Sequence, residues 1–516
     1  MGAAAVLMAC SVLASRCMGL LRDKVISYYH GAGAEADIYF AAFVVPDFIN
    51  YLLAGGYFSI TLIPLLVQRF AAGDREGWSF FSTVFSWAAL ASALLCLLAW
   101  LFAPELAGMA APGFSPAAVK RLAFFLRIMV PAQIFFLPGA CCIALLYWRR
   151  QFAAPALVPL VYNGCILLGG LLMQMGAPHR GMEGFAWGVL AGAALGSFCL
   201  PLFVARAGGL SLRFSLTDSA LARFILLALP LMLGQSIVVL DEQLIRVAGS
   251  LAGEGSVSLL SYARRIMQVP VGVVAQAAGV ASYPFLAQLA AEGRMEEFAA
   301  TISATLRHSL LLVIPLCAWM ASCSVAVMRL IFQQGRFSAP EADLAGILLA
   351  VMLLSVVFWT IQQLFGRAFY AHENTLTPAL AGSFVTVISL PLYWLFALRM
   401  GALGVACAGV VAIGGYAALL AYLWIRRHGH SCITGICGLA GTAAVISALP
   451  GGMGYVVCAW IRSSMPDAPL AGAALAIAAS GVAFGISYAL LAWYCAPKIL
   501  EPIAPLVERA QRRFLG

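Results

Sequence analysis

The sequence predicts an all-α polytopic membrane protein with about fourteen transmembrane helices, and three observations support this fold class. Of its 516 residues, 63% are hydrophobic and 10% are charged, whereas soluble domains are near half apolar and a quarter charged. The apolar residues fall in runs of about twenty, the length of a helix that crosses a ~30 Å hydrocarbon core. These runs also lack the ~10-residue alternation of membrane β-strands. Both a soluble fold and a β-barrel are therefore disfavoured.

Each apolar run is predicted to form one membrane-spanning helix. The first run, at 3–13, leads into charged residues at 15–24 rather than into a signal-peptide cleavage site, so we expect it to remain as a span. The predicted spans are 3–29, 38–66, 79–103, 119–147, 154–175, 183–205, 221–248, 256–287, 303–331, 342–370, 376–398, 402–425, 433–461 and 470–496.

The basic residues predict how these spans are oriented. If the N-terminus is cytoplasmic, fifteen Arg and Lys residues flank the inner ends of the spans and six flank the outer ends. The positive-inside rule then places both termini in the cytoplasm. The basic tail at 498–516 is expected to lie on the anionic inner leaflet.

The chain contains an internal repeat. PLLVQRFAAGDRE at 64–76 is matched by PFLAQLAAEGRME at 284–296, and two further matches keep an offset of 223. Each copy has six spans, and an even number gives both copies the same orientation. We therefore expect two pseudo-symmetric six-helix lobes around a central cavity, rocking between inward-open and outward-open states. The predicted parts are the lobes 1–215 and 216–430, two extra transmembrane helices within 431–497 and a cytoplasmic basic tail at 498–516.

The first span carries charges that are costly inside a membrane and are therefore candidates for function. Arg16 and Asp23 are seven residues apart and share a helix face. Arg22 lies roughly 120° away from Arg16 around the helix. Either Gly19 between them allows a bend, or the two arginines line different walls of a wide cavity. The alternative is a helix end whose arginines reach to the membrane surface.

The second half of the chain begins with a comparable set of charges. Asp241 and Glu242 are candidates for binding a coupling cation, Na⁺ or H⁺, and structural pairing with Arg246 is the alternative. Arg264 and Arg265 are neighbours in the eighth span, ~100° apart on a helix, so one is expected to face the cavity and the other an adjacent helix. Arginine binds phosphate through a planar, bidentate fork, which indicates an anionic substrate.

Missing motifs disfavour several other activities. The sequence has no GxxxxGK[ST] phosphate-binding loop, so transport must draw on an ion gradient, the membrane potential or the substrate gradient. HExxH and GxSxG are absent, and the isolated acidic residues do not form the cluster of a metal-dependent glycosyltransferase. The fourteen Cys and six His show no metal-ligand spacing. We therefore expect a transporter rather than an enzyme, with no metal, cofactor or nucleic-acid partner.

Three stretches of the sequence are specific enough to indicate a family. They read SRCMGLLRD at 15–23 followed by GAGAEAD at 31–37 and FAAFVVP at 40–46, then GSVS at 255–258 with YARRIMQVPVGV at 262–273, and FQQGRF at 332–337. These stretches resemble the MurJ (MviN) lipid II flippases of the MOP exporter superfamily, over at least residues 11–380.

The resemblance implies a flippase for lipid II, the undecaprenyl-pyrophosphate-linked peptidoglycan precursor. It implies alternating access in the bacterial cytoplasmic (inner) membrane, with membrane lipids and the cell-wall synthesis machinery as partners. By residue matching, the family's cavity arginines fall on Arg16, Arg22 and Arg265. Its acidic residue after the first loop falls on Asp37.

The sequence departs from the family pattern at positions that bear on the substrate headgroup. The family usually has a basic pair where this chain has Asn50-Tyr51, and Glu before Gly where it has Gly55-Gly56. It usually has Asp where this chain has Arg264. The alternative function is therefore a flippase for another undecaprenyl-pyrophosphate-linked oligosaccharide, such as an O-antigen or capsule unit. A MATE-type antiporter for cationic cargo and a membrane glycosyltransferase are less favoured.

Overall fold

The structure is all-helical, as predicted. No β-strand occurs in the residues that the computed structural model describes, which are 2–54, 57–206, 208–215, 221–226, 228, 240–430, 432–466 and 468–495. The middle of the seventh predicted span, Gly55-Gly56 and the predicted tail at 498–516 lie outside the described residues.

The chain forms two compact units, of which the first is Met1–Ser258. A 3₁₀ turn joins α7 to α8, and a π-helix joins α10 to α11, so each pair forms one continuous apolar segment. The helices of this unit are α1 (Gly2–His30), α2 (Ala34–Ala41), α3 (Val44–Ala54), α4 (Tyr57–Ala72), α5 (Asp74–Leu101), α6 (Ala103–Ala110), α7 (Pro116–Met129), α8 (Gln133–Trp148), α9 (Ala153–Gly176), α10 (Gly181–Gly192), α11 (Leu200–Ala205) and α12 (Leu240–Leu251).

The second unit is Leu259–Gly516. The helix α13 begins at Ser256, in the first unit, and a π-helix after Pro270 leads from it into α14. The helices are α13 (Ser256–Pro270), α14 (Ala277–Ala291), α15 (Met295–Ser322), α16 (Ser324–Phe332), α17 (Ala339–Ala371), α18 (Leu376–His428), α19 (Ile436–Ser464) and α20 (Pro469–Cys495).

Within the described ranges, nine helical segments are long and apolar enough to cross a membrane. Large apolar side chains on them point outward, for example Leu172, Val445 and Trp493, as expected of helices surrounded by lipid. The protein is therefore a multi-pass membrane protein. The nine segments are Asp74–Leu101, Pro116–Trp148, Ala153–Gly176, Pro178–Ala205, Met295–Ser322, Ala339–Ala371, Leu376–His428, Ile436–Ser464 and Pro469–Cys495.

The longest of these segments, α18, contains a break that the sequence predicts. Gly401 has φ 60° and ψ −142°, a non-helical conformation within an otherwise helical stretch. It falls in the gap between the predicted spans 376–398 and 402–425. The segment therefore accommodates both predicted spans, and the total of fourteen stays approximate because the seventh span is described only in part.

The repeated motifs mark equivalent helix starts in the two halves. The helices α5 and α15 both have 28 residues and begin 221 residues apart. Ser115 caps α7 by accepting the Ala118 N–H at 3.3 Å, and Ser338 caps α17 in a capping box with Glu341. The offset of 223 between these two serines thus places each of them at the N-cap of a helix. The lobe limits at residues 215 and 430 stay a prediction.

Two predicted spans differ from the observed helices. The predicted span 38–66 is interrupted, because α2 ends at Ala41 and a new helix, α3, begins at Val44. The predicted span 303–331 is also divided, between α15 and α16 at Cys323. The first break lies among apolar residues, so hydrophobicity alone does not reveal it, whereas the second is flanked by Ser322 and Ser324.

Candidate functional site

The polar centre of the first unit is Arg22, which lies where α1 packs against α9 and is 8% exposed. Its Nε and Nη2 donate to Oδ1 of Asp23 at 2.9 and 2.7 Å, and its Nη1 donates to Oδ1 of Asn163 at 3.5 Å. Asn163 in turn donates to Ser15 Oγ at 3.4 Å and to the Pro159 carbonyl at 2.9 Å. The buried guanidinium therefore has its counter-charge beside it and is fixed in position by a side chain of α9.

Arg16, on the same helix, has different surroundings because it is exposed. The helix α1 runs without interruption from Gly2 to His30, so Gly19 does not break it. Gly19 lies buried against α9, where an added Cβ would be 3.9 Å from Asn163 Oδ1. The two arginines of α1 thus occupy one buried and one exposed position of a single continuous helix.

Asp37, on the short helix α2 that precedes the second predicted span, is 1% exposed. Its Oδ2 accepts the Gly255 N–H at 2.6 Å and its Oδ1 accepts the Ser258 N–H at 2.7 Å. These are N-terminal amides of α13, so Asp37 caps that helix. Burial raises the pKa of Asp37 to about 7, although the hydrogen bonds from Ser258 and Gly255 oppose the rise. Its predicted role as a substrate contact stays a prediction.

An ion-pair cluster links α3 and α12. Arg246 Nη1 lies 2.7 Å from Asp47 Oδ2, and Arg246 Nη2 lies 2.7 Å from Glu242 Oε1. Gln243 Oε1 accepts from Arg246 Nη1 at 3.0 Å. Glu242 therefore takes part in the structural pairing that was the alternative to ion coupling, and Asp241 is half-buried in the first turn of α12. A coupling role for these two acids stays a prediction.

In the second unit, Arg264 and Arg265 are both half-buried on α13. The structure thus brings Arg22 and Asn163 together in one unit, and it describes Arg264 and Arg265 in the other. Sequence reasoning missed Asn163, although a polar residue within the apolar run 154–175 is the signal that would have found it. No group of three or more metal-binding side chains occurs in the part of the chain that the structure describes.

Comparisons with known proteins agree on one family. The family described as "Lipid II flippase MurJ" matches residues 26–466. A probable lipid II flippase MurJ of Rhizobium meliloti (strain 1021) is 30% identical over 528 residues, covering 97% of this chain and 96% of that protein. A solved structure, "Lipid II flippase MurJ, inward closed conformation", is similar with a TM-score of 0.76 and 21% identity, over 94% of this chain and 99% of that one.

The fold is also shared with another branch of the MOP superfamily. An inward-facing multidrug resistance transporter of the MATE family has a TM-score of 0.67 and 16% identity, over 81% of this chain and 96% of that one. At this identity the likeness concerns the fold alone. The predicted MOP architecture is therefore confirmed.

Proposed function

Because the chain belongs to the MurJ family of lipid II flippases, we propose that it moves lipid II from the cytoplasmic to the periplasmic leaflet of the bacterial inner membrane. As a member of that family it is a transporter and not an enzyme. The two-lobed repeat supports alternating access, in which the lobes open in turn to each side of the membrane.

The observation that carries this proposal is the pair of arginines on α1. A pyrophosphate linker brings about two negative charges into the membrane, and leaving them unpaired in a low-dielectric site costs several kcal/mol. Arg16 is exposed, while Arg22 is buried and held by Asp23 and Asn163. Together with Arg265 of the second unit, these guanidinium groups supply bidentate donors for phosphate oxygens. A cationic central cavity is the site that we propose for the headgroup.

The energy for transport comes, in this proposal, from a cation gradient or the membrane potential. A Na⁺ or H⁺ bound near Asp241 and Glu242 shifts the equilibrium between the two states only if its affinity for them differs. The test is transport in vesicles with and without Na⁺, for the wild type and for Asp241→Asn and Glu242→Gln. Transport that is indifferent to both changes removes the coupling role of these acids.

A second candidate substrate is favoured by one observation. The second predicted span has Asn50 and Tyr51, both half-buried on α3, where the resemblance implies basic residues. A headgroup other than that of lipid II, carried on the same undecaprenyl pyrophosphate, is the alternative cargo. Rescue of a strain that lacks its O-antigen flippase, without rescue of a strain depleted of its lipid II flippase, would favour this alternative.

The experiment that tests the main proposal is complementation of a strain depleted of its own lipid II flippase. We expect the wild-type chain to support growth and Arg16→Ala or Arg265→Ala to fail at near-normal membrane abundance. Lysine at either position should rescue only in part, since it keeps the charge but not the bidentate fork. Arg264→Ala is the milder control.

Arg22→Ala needs its own abundance measurement, because it leaves Asp23 buried without its partner. If the alanine variants of all four arginines support growth at the wild-type level, the cationic cavity is wrong and these side chains serve only as interfacial anchors.

A further inference from the structure

A short segment without regular secondary structure follows α11 and lies against α5. We call this segment, residues 210–215, the strap. The Ser211 N–H donates to Ser82 Oγ at 3.1 Å. The Arg213 N–H donates to Ser86 Oγ at 2.9 Å. The two serines are buried and lie about one turn apart on α5, so two hydroxyls of a predicted membrane span hold the backbone of the strap.

The strap is extended and runs alongside α5 in the same direction. Two residues of an extended chain span about 6.6 Å, close to the ~6 Å that four residues of a helix span. The successive contacts with Ser82 and Ser86 fit this match. Farther along, Trp87 Nε1 donates to the Ser215 carbonyl at 3.4 Å, and the Trp87 ring meets the Phe214 ring edge-on with centroids 5.6 Å apart. The strap is thus fixed at three successive points.

The second unit holds the corresponding segment in a similar way. Arg307 of α15 donates through Nη2 to the Thr434 carbonyl at 2.8 Å. Arg307 lies 220 residues after Trp87. Thr434 lies 219 residues after Ser215, which agrees with the offset of about 220 between the copies. A bond between the third predicted span of a copy and the segment after its sixth span is therefore present in both copies.

The strap lies at the level where α5 enters the hydrocarbon from its predicted inner end. The first turn of α5 contains Asp74 and Glu76. Residues 79–86 then carry four hydroxyl side chains, whereas 87–102 carry one and span about 24 Å as a helix, most of the ~30 Å core. Trp87 begins this apolar stretch, and tryptophan is typical of the boundary between headgroups and hydrocarbon. The contacts of the strap are therefore at this boundary.

The face of α5 that the strap covers continues as a surface that faces lipid. Leu97 lies about three turns after Ser86. Trp100 lies five turns after Ser82. Leu97 and Trp100 therefore share the face of the two serines, and both are exposed, as expected of large apolar side chains on a helix surrounded by lipid. The strap thus forms the inner margin of a lipid-facing surface.

The side chains of the strap combine apolar and basic groups. Leu212 is 81% exposed and Phe214 is 54% exposed, and Arg213 between them is exposed as well. Apolar side chains beside a basic one are typical of segments that lie in the membrane surface. A guanidinium group binds phosphate oxygens through two parallel hydrogen bonds, and the inner leaflet is anionic. The chemistry of the strap therefore fits this leaflet.

We propose that the strap anchors the first unit to the inner leaflet, with Leu212 and Phe214 inserted among the lipids and Arg213 bound to the phosphate of an anionic phospholipid. Ser82 and Ser86 are positioning residues for this anchor. Their hydroxyls satisfy two backbone N–H groups that would otherwise be unpaired at the edge of the hydrocarbon, where an unsatisfied group is costly. The anchor is a contact with the surrounding membrane and does not depend on which lipid the protein transports.

The first test measures the depth of the strap. Leu212→Cys, in a parent whose exposed cysteines are replaced by serine, carries a nitroxide spin label in vesicles of phosphatidylcholine and phosphatidylglycerol. Oxygen concentrates in the bilayer and a nickel chelate stays in water, so their collision rates with the label report its depth. We expect the label to favour oxygen, as a label at the lipid-facing Leu172→Cys does. A label at Ala300→Cys, exposed near the start of α15, should favour nickel. A Leu212→Cys label that behaves like the one at Ala300→Cys overturns the proposal.

The second test concerns the phosphate contact of Arg213. In the labelled Leu212→Cys protein, Arg213→Glu should lower the ratio of oxygen to nickel collisions several-fold, and Arg213→Lys should change it little. Vesicles of phosphatidylcholine alone should lower the ratio for the arginine protein as well. The matched control is Arg75→Glu, which changes an exposed arginine of the first turn of α5 and should leave the ratio unchanged. A ratio that is indifferent to both Arg213→Glu and phosphatidylglycerol shows that the proposed phosphate contact is wrong.

The third test concerns the two serines. Ser82→Ala/Ser86→Ala removes both hydroxyl acceptors and should make the label at Leu212→Cys more mobile, whereas the label at Leu172→Cys should keep its mobility and thereby report an intact fold. Equal mobility of the Leu212→Cys label with and without the serines contradicts their positioning role. None of these measurements requires transport, so a protein that does not move lipid II but shows these results contradicts only the proposed function.

Discussion

At the scale of single residues, the pairing of Arg22 with Asp23 governs how the first unit can bind an anion. Two of the three guanidinium nitrogens of Arg22 are already bonded to Asp23, and the third is directed at Asn163. A phosphate that reaches Arg22 must therefore share it with, or take it from, a buried carboxylate. Arg16, in contrast, is exposed. Arg22 thus has a structural role through its pairing with Asp23, and its role in binding the substrate stays a prediction.

The Arg22–Asp23 pair gives the first prediction. Asp23→Asn leaves a buried guanidinium without its counter-charge, a change that costs about 3–5 kcal/mol. Asn163→Ala removes one weaker partner and should cost about 1–2 kcal/mol. The thermal unfolding midpoint of the purified Asp23→Asn protein should therefore lie well below that of the Asn163→Ala protein. The double variant Arg22→Gln/Asp23→Asn, which removes both charges, should regain stability but not transport. If the Asp23→Asn protein is as stable as the wild type, the ion pair is dispensable for stability.

Asp37 gives the second prediction, a dependence on pH. Its pKa is about 7 where it is buried, against an ordinary value of 3.8, so the folded protein binds this proton more tightly than the unfolded chain does. The stabilisation from this proton is complete below the ordinary pKa and is lost as the pH rises through about 7. Glu254 is the charged neighbour that adds to the rise, while Glu35 is neutralised by Arg121. Thermal stability should fall between about pH 4 and pH 7 in the wild type and level off above that range.

The control for this pH dependence is Asp37→Asn, which cannot ionise. Its stability profile should be flatter than that of the wild type over the same pH range. If the two profiles are parallel, Asp37 does not titrate near neutrality and the pH dependence of the wild type has another source.

At the scale of helices, the sequence predicts most of the helix starts and ends, and the structure shows the physical reasons. The serines at 115 and 338 stand out in the repeat because each caps a helix. The break between α2 and α3 could not be predicted from hydrophobicity, since it lies among apolar residues. The contacts of Asp37 with Gly255 and Ser258, and of Arg22 with Asn163, could not be predicted either, because the partners are far apart in the sequence. A local pattern shows that a polar residue is unusual but does not show which distant group it meets.

The break in α18 gives a prediction at this scale. Gly401 adopts φ 60° and ψ −142°, and a side chain there costs of order 1–3 kcal/mol. Gly401→Ala should therefore lower the thermal midpoint of the protein. Gly441, in the interior of α19, has open space around its Cβ position, so Gly441→Ala should be neutral or stabilise by about 0.5–1 kcal/mol. Equal effects of the two substitutions would mean that the break does not need glycine.

At the scale of the whole molecule, the repeat reveals which residues are equivalent but not which of them pack together. The first compact unit ends in the sequence at Ser258, and the lobe boundary at residue 215 stays a prediction. The helix α12 is placed with the first unit by its Arg246, which bonds Asp47 of α3, and the start of α13 is placed there by Asp37. These are long-range polar contacts, and neither periodicity nor hydrophobicity encodes them.

The orientation of the two halves gives the last prediction. Because an even number of spans separates equivalent positions, both copies should have the same orientation, with inner ends at the starts of α5 and α15 and outer ends at the starts of α7 and α17. Whether this number of spans is even depends on the seventh span, which the structure describes only in part. Single cysteines at exposed, equivalent positions test it directly: Arg75→Cys and Glu296→Cys inside, Ala117→Cys and Pro340→Cys outside.

The parent protein for this test has serine in place of the cysteines that are exposed in the described residues, which are Cys10, Cys17, Cys199, Cys437 and Cys495. In intact cells, an impermeant thiol reagent should label only the cysteines introduced at positions 117 and 340. Positions 75 and 296 should react after the membrane is made permeable, and a reporter fused after Gly516 should be active in the cytoplasm. Labelling of 117 together with 296 would mean an odd number of spans between the copies, hence an inverted repeat. The two arginine-bearing units would then have opposite orientations, and the proposed pair of like-oriented lobes would be wrong.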